Sequence, residues 1–193
     1  GANAPYGCFQ NFGFLNINFP IQGEVLNYKR SLDLATAKAV TRFTANGIDY
    51  TREYFTSQAK NIGAIRLTAN KKRAITFALH FYREERIKGH QVQNGEILIN
   101  GVLSNGFGGD DVQFAGKIKV VPKGGTIQYY DHQIIVKDAN EVDIYFTAST
   151  NYYGTDPIET VHQNLASTTS SFQQLYKDHL KKYKEVFDRV KLQ

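Results

Sequence analysis

The stretch Lys38-Ala39-Val40-Thr41-Arg42-Phe43-Thr44-Ala45-Asn46-Gly47-Ile48-Asp49-Tyr50-Thr51-Arg52-Glu53-Tyr54-Phe55-Thr56 decides the fold class. Asn46-Gly47 is the pair that best tolerates the positive φ angles of a two-residue hairpin turn, and the residues on either side alternate. A two-residue loop sets Ala45 opposite Ile48, and therefore Phe43 opposite Tyr50, Thr41 opposite Arg52 and Ala39 opposite Tyr54. The other surface carries Lys38, Val40, Arg42, Thr44, Asp49, Thr51 and Glu53. One face is greasy and one is wet. A hairpin of this kind must lay its apolar face on something, and the segments around it share its character, so the reading predicts sheet packed on sheet.

Outward from the hairpin the same pattern repeats. Before it, Leu15, Ile17 and Phe19 alternate, and Tyr28, Arg30, Leu32 and Leu34 recur at period two. A short helix over residues 34–39 is allowed by propensity, but the hairpin register favours a turn and a strand. After it, Ile65, Leu67 and Ala69, then Ile75, Phe77, Leu79 and Phe81, read as two half-buried strands. Residues 83–93 are charged and read as irregular, and Asn94-Gly95 introduces a strand over 96–103. Residues 105–111, rich in Gly and Asp, read as an exposed loop. Val112, Phe114, Gly116, Ile118 and Val120 alternate, residues 122–125 make a turn, and strands follow at 126–130, 133–137 and 142–148. Short strands at roughly ten-residue spacing indicate an all-β sandwich or barrel.

At Asp156 the period changes. Asp156-Pro157-Ile158-Glu159 supplies a capping side chain, Pro at the first helical position and an acid where the helix dipole favours one. Ile158, Val161 and Leu165 form the stripe of a first helix. Phe172, Tyr176, Leu180, Tyr183, Phe187 and Val190 form that of a second, after a Ser/Thr run. The sequence thus divides into a β-sandwich domain at 1–152 and a helical segment at 153–193.

The chain has 193 residues with a net charge of +5. Much of the excess lies in Lys177, Lys181, Lys182, Lys184, Arg189 and Lys191, which reads as a solvated helix face rather than a nucleic-acid patch, because no stacking aromatics alternate with the basic residues. No run of about 18 apolar residues is present, so no membrane-spanning helix is expected. Cys8 is the single cysteine and allows no intrachain disulfide.

No catalytic or metal-binding group is assigned, and no cofactor is expected. Asp110-Asp111 lacks the oxygen-ligand spacing of a calcium loop. Glu84-Glu85, flanked by Arg83 and Arg86, reads as surface salt bridges. His80, His90, His132, His162 and His179 reach no metal-like spacing and read as surface or helix-packing residues. Gly106-Phe107-Gly108-Gly109 lacks the context of a phosphate loop. Asn151, Tyr152 and Tyr153 combine amide and aromatic groups of the kind that stack on and hydrogen-bond to sugars, and are the candidate carbohydrate contacts; the alternative is a turn whose tyrosines cover the sheet end.

Several stretches together resemble the N-terminal domain of glycoside hydrolase family 95, the α-L-fucosidase family. They are residues 9–15 with Phe19, Asn27-Tyr28-Lys29-Arg30-Ser31-Leu32-Asp33-Leu34, residues 47–57, Ile65-Arg66-Leu67-Thr68-Ala69, Thr147-Ala148-Ser149-Thr150-Asn151-Tyr152, and residues 179–190. Two departures stand out: the family's usual acid after the first Gly is here Phe14, and the opening segment before Phe9 is missing. The resemblance implies a mainly β fold, an antiparallel β-supersandwich followed by C-terminal linker helices. It further implies an (α/α)6 catalytic barrel in cis, with the catalytic acids beyond Gln193, and a periplasmic or extracellular protein acting on fucosylated glycans. The other readings are a free-standing carbohydrate-binding module and a purely structural packing domain.

Overall fold

The computed structural model describes residues 11–105, 109–166 and 171–189. Tyr6, Cys8, Phe9, Gly106, Phe107, Gly108, Val190 and Lys191 lie outside the described residues. Among those described, twelve strands precede two helices: β1 Phe14–Asn18, β2 Val25–Asp33, β3 Lys38–Ala45, β4 Ile48–Ser57, β5 Ile62–Ala69, β6 Ile75–Tyr82, β7 Ile87–Gln93, β8 Glu96–Ser104, β9 Asp110–Lys123, β10 Thr126–Tyr130, β11 Gln133–Ala139, β12 Glu141–Thr150, α1 Pro157–Ala166 and α2 Phe172–Phe187.

The expected mainly β sandwich with C-terminal helices is what forms. One sheet has four strands in the order β1-β6-β11-β10, and the other has eight in the order β2-β3-β4-β5-β12-β9-β8-β7; the pairing is antiparallel throughout. The hairpin that decides the fold has the expected register: Ala45 faces Ile48, Phe43 faces Tyr50, Thr41 faces Arg52 and Ala39 faces Tyr54. Asn46 and Gly47 take φ of 50° and 72°, the left-handed values that a two-residue turn needs. Phe43 stacks on Tyr50 with ring centroids 5.1 Å apart.

Between the sheets lies one apolar layer. Ile75, Phe77, Leu79, Phe81, Ile134 and Val136 from the small sheet meet Ile65, Leu67, Val142, Ile144, Ile118, Val120, Ile97 and Ile99 from the large one. Each such side chain contributes about 1.5–3 kcal/mol on full burial. The outer face of the large sheet carries a second layer, in which Phe55, Ile62, Ala64 and Tyr145 are covered by Leu165 of α1 and by Phe172 and Leu175 of α2. The helices do not project alone.

Four details differ from the sequence reading. Residues 83–93 are not wholly irregular: β7 pairs with β8 as an edge strand, because Asn94 and Gly95, with φ of 52° and 74°, close a tight hairpin of their own. Its polar composition suits an edge strand, where unpaired backbone faces water. The strand β9 runs through Pro122, and the turn is made by Gly124 and Gly125, both at positive φ. In α1, Pro157 takes the buried place expected of Ile158, which is 36% exposed. In α2 the buried residues are Phe172, Leu175 and His179, so the buried stripe is rotated toward positions that polarity alone did not mark.

Candidate functional site

The candidate sugar contacts sit where β12 ends. Asn151 extends the ladder by one step: its N–H donates to the Gln113 carbonyl at 3.1 Å, and its Oδ1 accepts from the Gln113 N–H at 2.9 Å. Gly154, at φ of 81°, closes the turn by donating to the Asn151 carbonyl at 2.8 Å. Asn151 therefore positions the loop with its side-chain oxygen already committed to backbone. The tyrosines it holds out are 72% and 89% exposed, with rings at right angles and centroids 5.0 Å apart. The alternative of two rings covering the sheet end does not fit that exposure. Two residues on, Asp156 caps α1 through a 2.9 Å bond from the Glu159 N–H.

A charged cluster that the sequence did not reveal lies under α2. Arg66 on β5 and Asp143 on β12 are cross-strand partners on the outer face of the large sheet. Arg66 donates to both oxygens of Asp143, at 2.7 and 2.8 Å, and lies 3.1 Å from Glu141. The Tyr145 hydroxyl donates to Asp143 at 3.4 Å, and the guanidinium lies 4.2 Å from the centre of the Phe172 ring. Burial pulls the Arg66 guanidinium down, but the hydrogen bonds and charge of Asp143, with Glu141, leave it above its ordinary value. Burial, then the charge of Asp143, pushes the Tyr145 phenol well above the usual tyrosine range.

This arrangement is an electrostatic clamp. All 18 acidic side chains lie within the described residues, and Asp143 alone among them is buried. Its carboxylate is held in a bidentate grip, with each oxygen accepting from the Arg66 guanidinium. Two large clefts hold no carboxylate among the described residues that line them. One, of about 570 Å³, opens between the sheets beside Phe12, Leu15, Phe81 and Phe146. The other, of about 630 Å³, lies on β2, β3 and β4 beside Tyr28, Leu32, Arg52 and Tyr54.

The histidines are dispersed. His80 lies 3.3 Å from Asn16, His162 lies 2.9 Å from the Lys117 ammonium, and His179 is buried against the Thr36 carbonyl at 2.9 Å. His90 stacks on His132 at 4.9 Å, and burial, then that neighbour, holds its imidazole below the ordinary value. Among the described residues no group of three or more His, Cys, Asp or Glu could hold a metal ion. Asp110 and Asp111 are exposed at the start of β9. Arg83 donates to the carbonyls of Asn11, Phe12 and Glu85 and lies over Phe114 at 4.6 Å. Among the described residues no helix is long and apolar enough to cross a membrane.

The chain is 26% identical to an α-L-fucosidase 2 of Arabidopsis thaliana over 97% of its own length, and spans about a quarter, 26%, of that relative. Its fold superposes on a protein assigned as a kojibiose phosphorylase, from the human microbiome, with a TM-score of 0.57 at 12% identity, covering 85% of this chain and 25% of the other. A family model described as the N-terminal domain of glycosyl hydrolase family 65 matches residues 1–155, and the chain belongs to that family of glycoside hydrolase N-terminal domains.

Proposed function

We propose that this chain is the non-catalytic N-terminal β-sandwich of a family 95-like enzyme that hydrolyses fucosylated glycans, its catalytic acids lying on a helical barrel in cis. The observation that carries the non-catalytic reading is the state of the acids. Cleavage of a glycosidic bond needs two carboxyl groups facing one pocket, one of them with a raised pKa. Here the single buried carboxylate is locked to Arg66, and neither large cleft contains one. The fucosidase reading is supported by the resemblance across the chain and by the Arabidopsis relative. The same resemblance supports a periplasmic or extracellular location.

In this reading residues 1–152 form the sandwich and 153–193 the connection to the barrel. Tyr152 and Tyr153 are rings offered to the substrate at the junction; replacing both by Ala is expected to raise the KM of the whole enzyme for a fucosylated oligosaccharide and leave kcat nearly unchanged. The discriminating experiment is an assay of the gene's full product on an aryl α-L-fucoside, and on kojibiose with inorganic phosphate. Fucoside hydrolysis without phosphate is expected. Phosphate-dependent cleavage of kojibiose, with the fucoside untouched, would place the parent enzyme with the phosphorylases instead.

A further inference from the structure

The two outer faces of the sandwich are unlike. On the large sheet α1 and α2 cover the outer surface of the middle strands β4, β5, β12 and β9. On the small sheet the alternation that sends Leu15, Ile17, Phe77, Leu79, Ile134 and Val136 into the core turns the intervening residues outward, and neither described helix packs over them. Three of these residues are large exposed aromatics. Phe14 and Tyr82 are cross-strand partners stacked at 6.5 Å with 27° between the rings, and are 55% and 51% exposed; Tyr130, on the far edge strand, is 73% exposed. Four are neutral amides: Asn16 and Asn18 on β1, Gln128 on β10 and Gln133 on β11. At the centre Ala78 lies between Asn18 and Ile135, so the middle of the face is low and its aromatic ends are high.

We infer that the outer face of the four-stranded sheet is a binding platform for a neutral oligosaccharide. A pyranose ring has a C–H face that stacks on an aromatic ring and an equatorial rim of hydroxyls that need both donors and acceptors, and an amide supplies one of each. The face is roughly 14 Å across its four strands, and successive rows of outward residues lie on the order of 7 Å apart, so an aromatic row and an amide row fall within reach of one short glycan. Next to the Phe14–Tyr82 stack, the Asn16 amide is fixed 3.3 Å from His80 Nε2, and the next amide, Gln133, pairs with Tyr130. The charged residues on these strands are Lys137 and Asp138, one of each sign, and Asp138 lies 3.2 Å from Arg73, so the face gathers no charge of one sign and favours a neutral ligand over an acidic glycan or a charged protein surface. The platform rests on the chain's place among glycoside hydrolase N-terminal domains and is independent of the fucosidase reading.

Affinity electrophoresis of the 193-residue chain through gels containing xyloglucan, galactomannan or polygalacturonate tests it, with the strongest neutral binder followed by calorimetry. The neutral polymers are expected to retard the protein and the acidic one to do so far less. Phe14→Ala and Tyr82→Ala should each weaken the interaction about tenfold or more, and Tyr82→Phe should keep it. If an aromatic truncation disturbs the fold, Asn18→Ala and Gln128→Ala carry the test, and both should weaken retardation. Absence of retardation by both neutral polymers, or retardation indifferent to the sheet variants, would overturn the inference. Since no hydrolysis is read, its failure would leave the fucosidase assignment standing.

Discussion

Arg66 is a buried cation whose removal would leave Asp143 buried and unpaired. Arg66→Met is therefore expected to cost about 3–5 kcal/mol in a urea titration, whereas Arg66→Met/Asp143→Leu, which removes both charges, should recover most of that loss. Phe43→Ala should cost about 3–5 kcal/mol, since the ring is buried and stacked on Tyr50, and Thr51→Ala on the wetter face under about 0.5 kcal/mol. Equal effects at 43 and 51 would contradict the register. His90 gives a pH dependence of definite sign. Its folded value lies below the ordinary 6.5, so the folded state takes up the proton less readily than the unfolded chain. The associated stability is full above that ordinary value and is lost as pH falls through the lowered one. Between about pH 8 and about pH 5.5 the urea midpoint should fall, and fall less in His90→Gln. The Phe43–Tyr50 pair was legible in the sequence because a two-residue turn counts register outward from itself. The Arg66–Asp143 clamp was not, because its partners are 77 residues apart and only the pairing of β5 with β12 joins them.

At the scale of elements, alternation and turn residues located nearly every strand, and the misreadings fall where composition and burial part company. β7 carries Lys88, Gly89, His90 and Gln91, a poor strand by content, yet it pairs because the Asn94-Gly95 turn delivers it to β8. The helices show the converse. Hydrophobicity placed Ile158 and Tyr176 on their stripes, and while Val161, Leu165 and Phe172 of those stripes are buried, Pro157, Leu175 and His179 are buried beside them, the last held by the Thr36 carbonyl. Geometry of docking decides this, and a helix sequence does not contain the angle at which it lands. Phe172→Ala, which opens the layer against Phe55 at 5.1 Å, should cost about 3–5 kcal/mol, and Ile158→Ser should cost under about 0.5 kcal/mol. Thermal melts of the two variants decide the point: a larger loss at Ile158 would mean that α1 packs in the orientation its hydrophobicity suggested.

The described residues form a two-layered sandwich whose large sheet is roofed over its middle strands by the C-terminal helices and whose small sheet is covered by neither described helix. That asymmetry was not legible in the sequence, since it depends on which strands share a sheet; Asn16, Tyr82 and Gln133 become neighbours only through the order β1-β6-β11-β10. What the sequence did carry was the sandwich itself and the likeness to a glycoside hydrolase N-terminal domain. The exposed Tyr152-Tyr153 turn was legible as chemistry, an amide beside two rings, and the structure adds that the amide oxygen accepts from the Gln113 N–H. Purified 193-residue chain, incubated with an aryl α-L-fucoside and with 2′-fucosyllactose, tests the central claim that the sandwich is non-catalytic. The account predicts no release of aryl alcohol or fucose above the uncatalysed rate. Turnover abolished by one Asp or Glu substitution, in a variant whose melting curve matches the parent, would make the sandwich itself the enzyme.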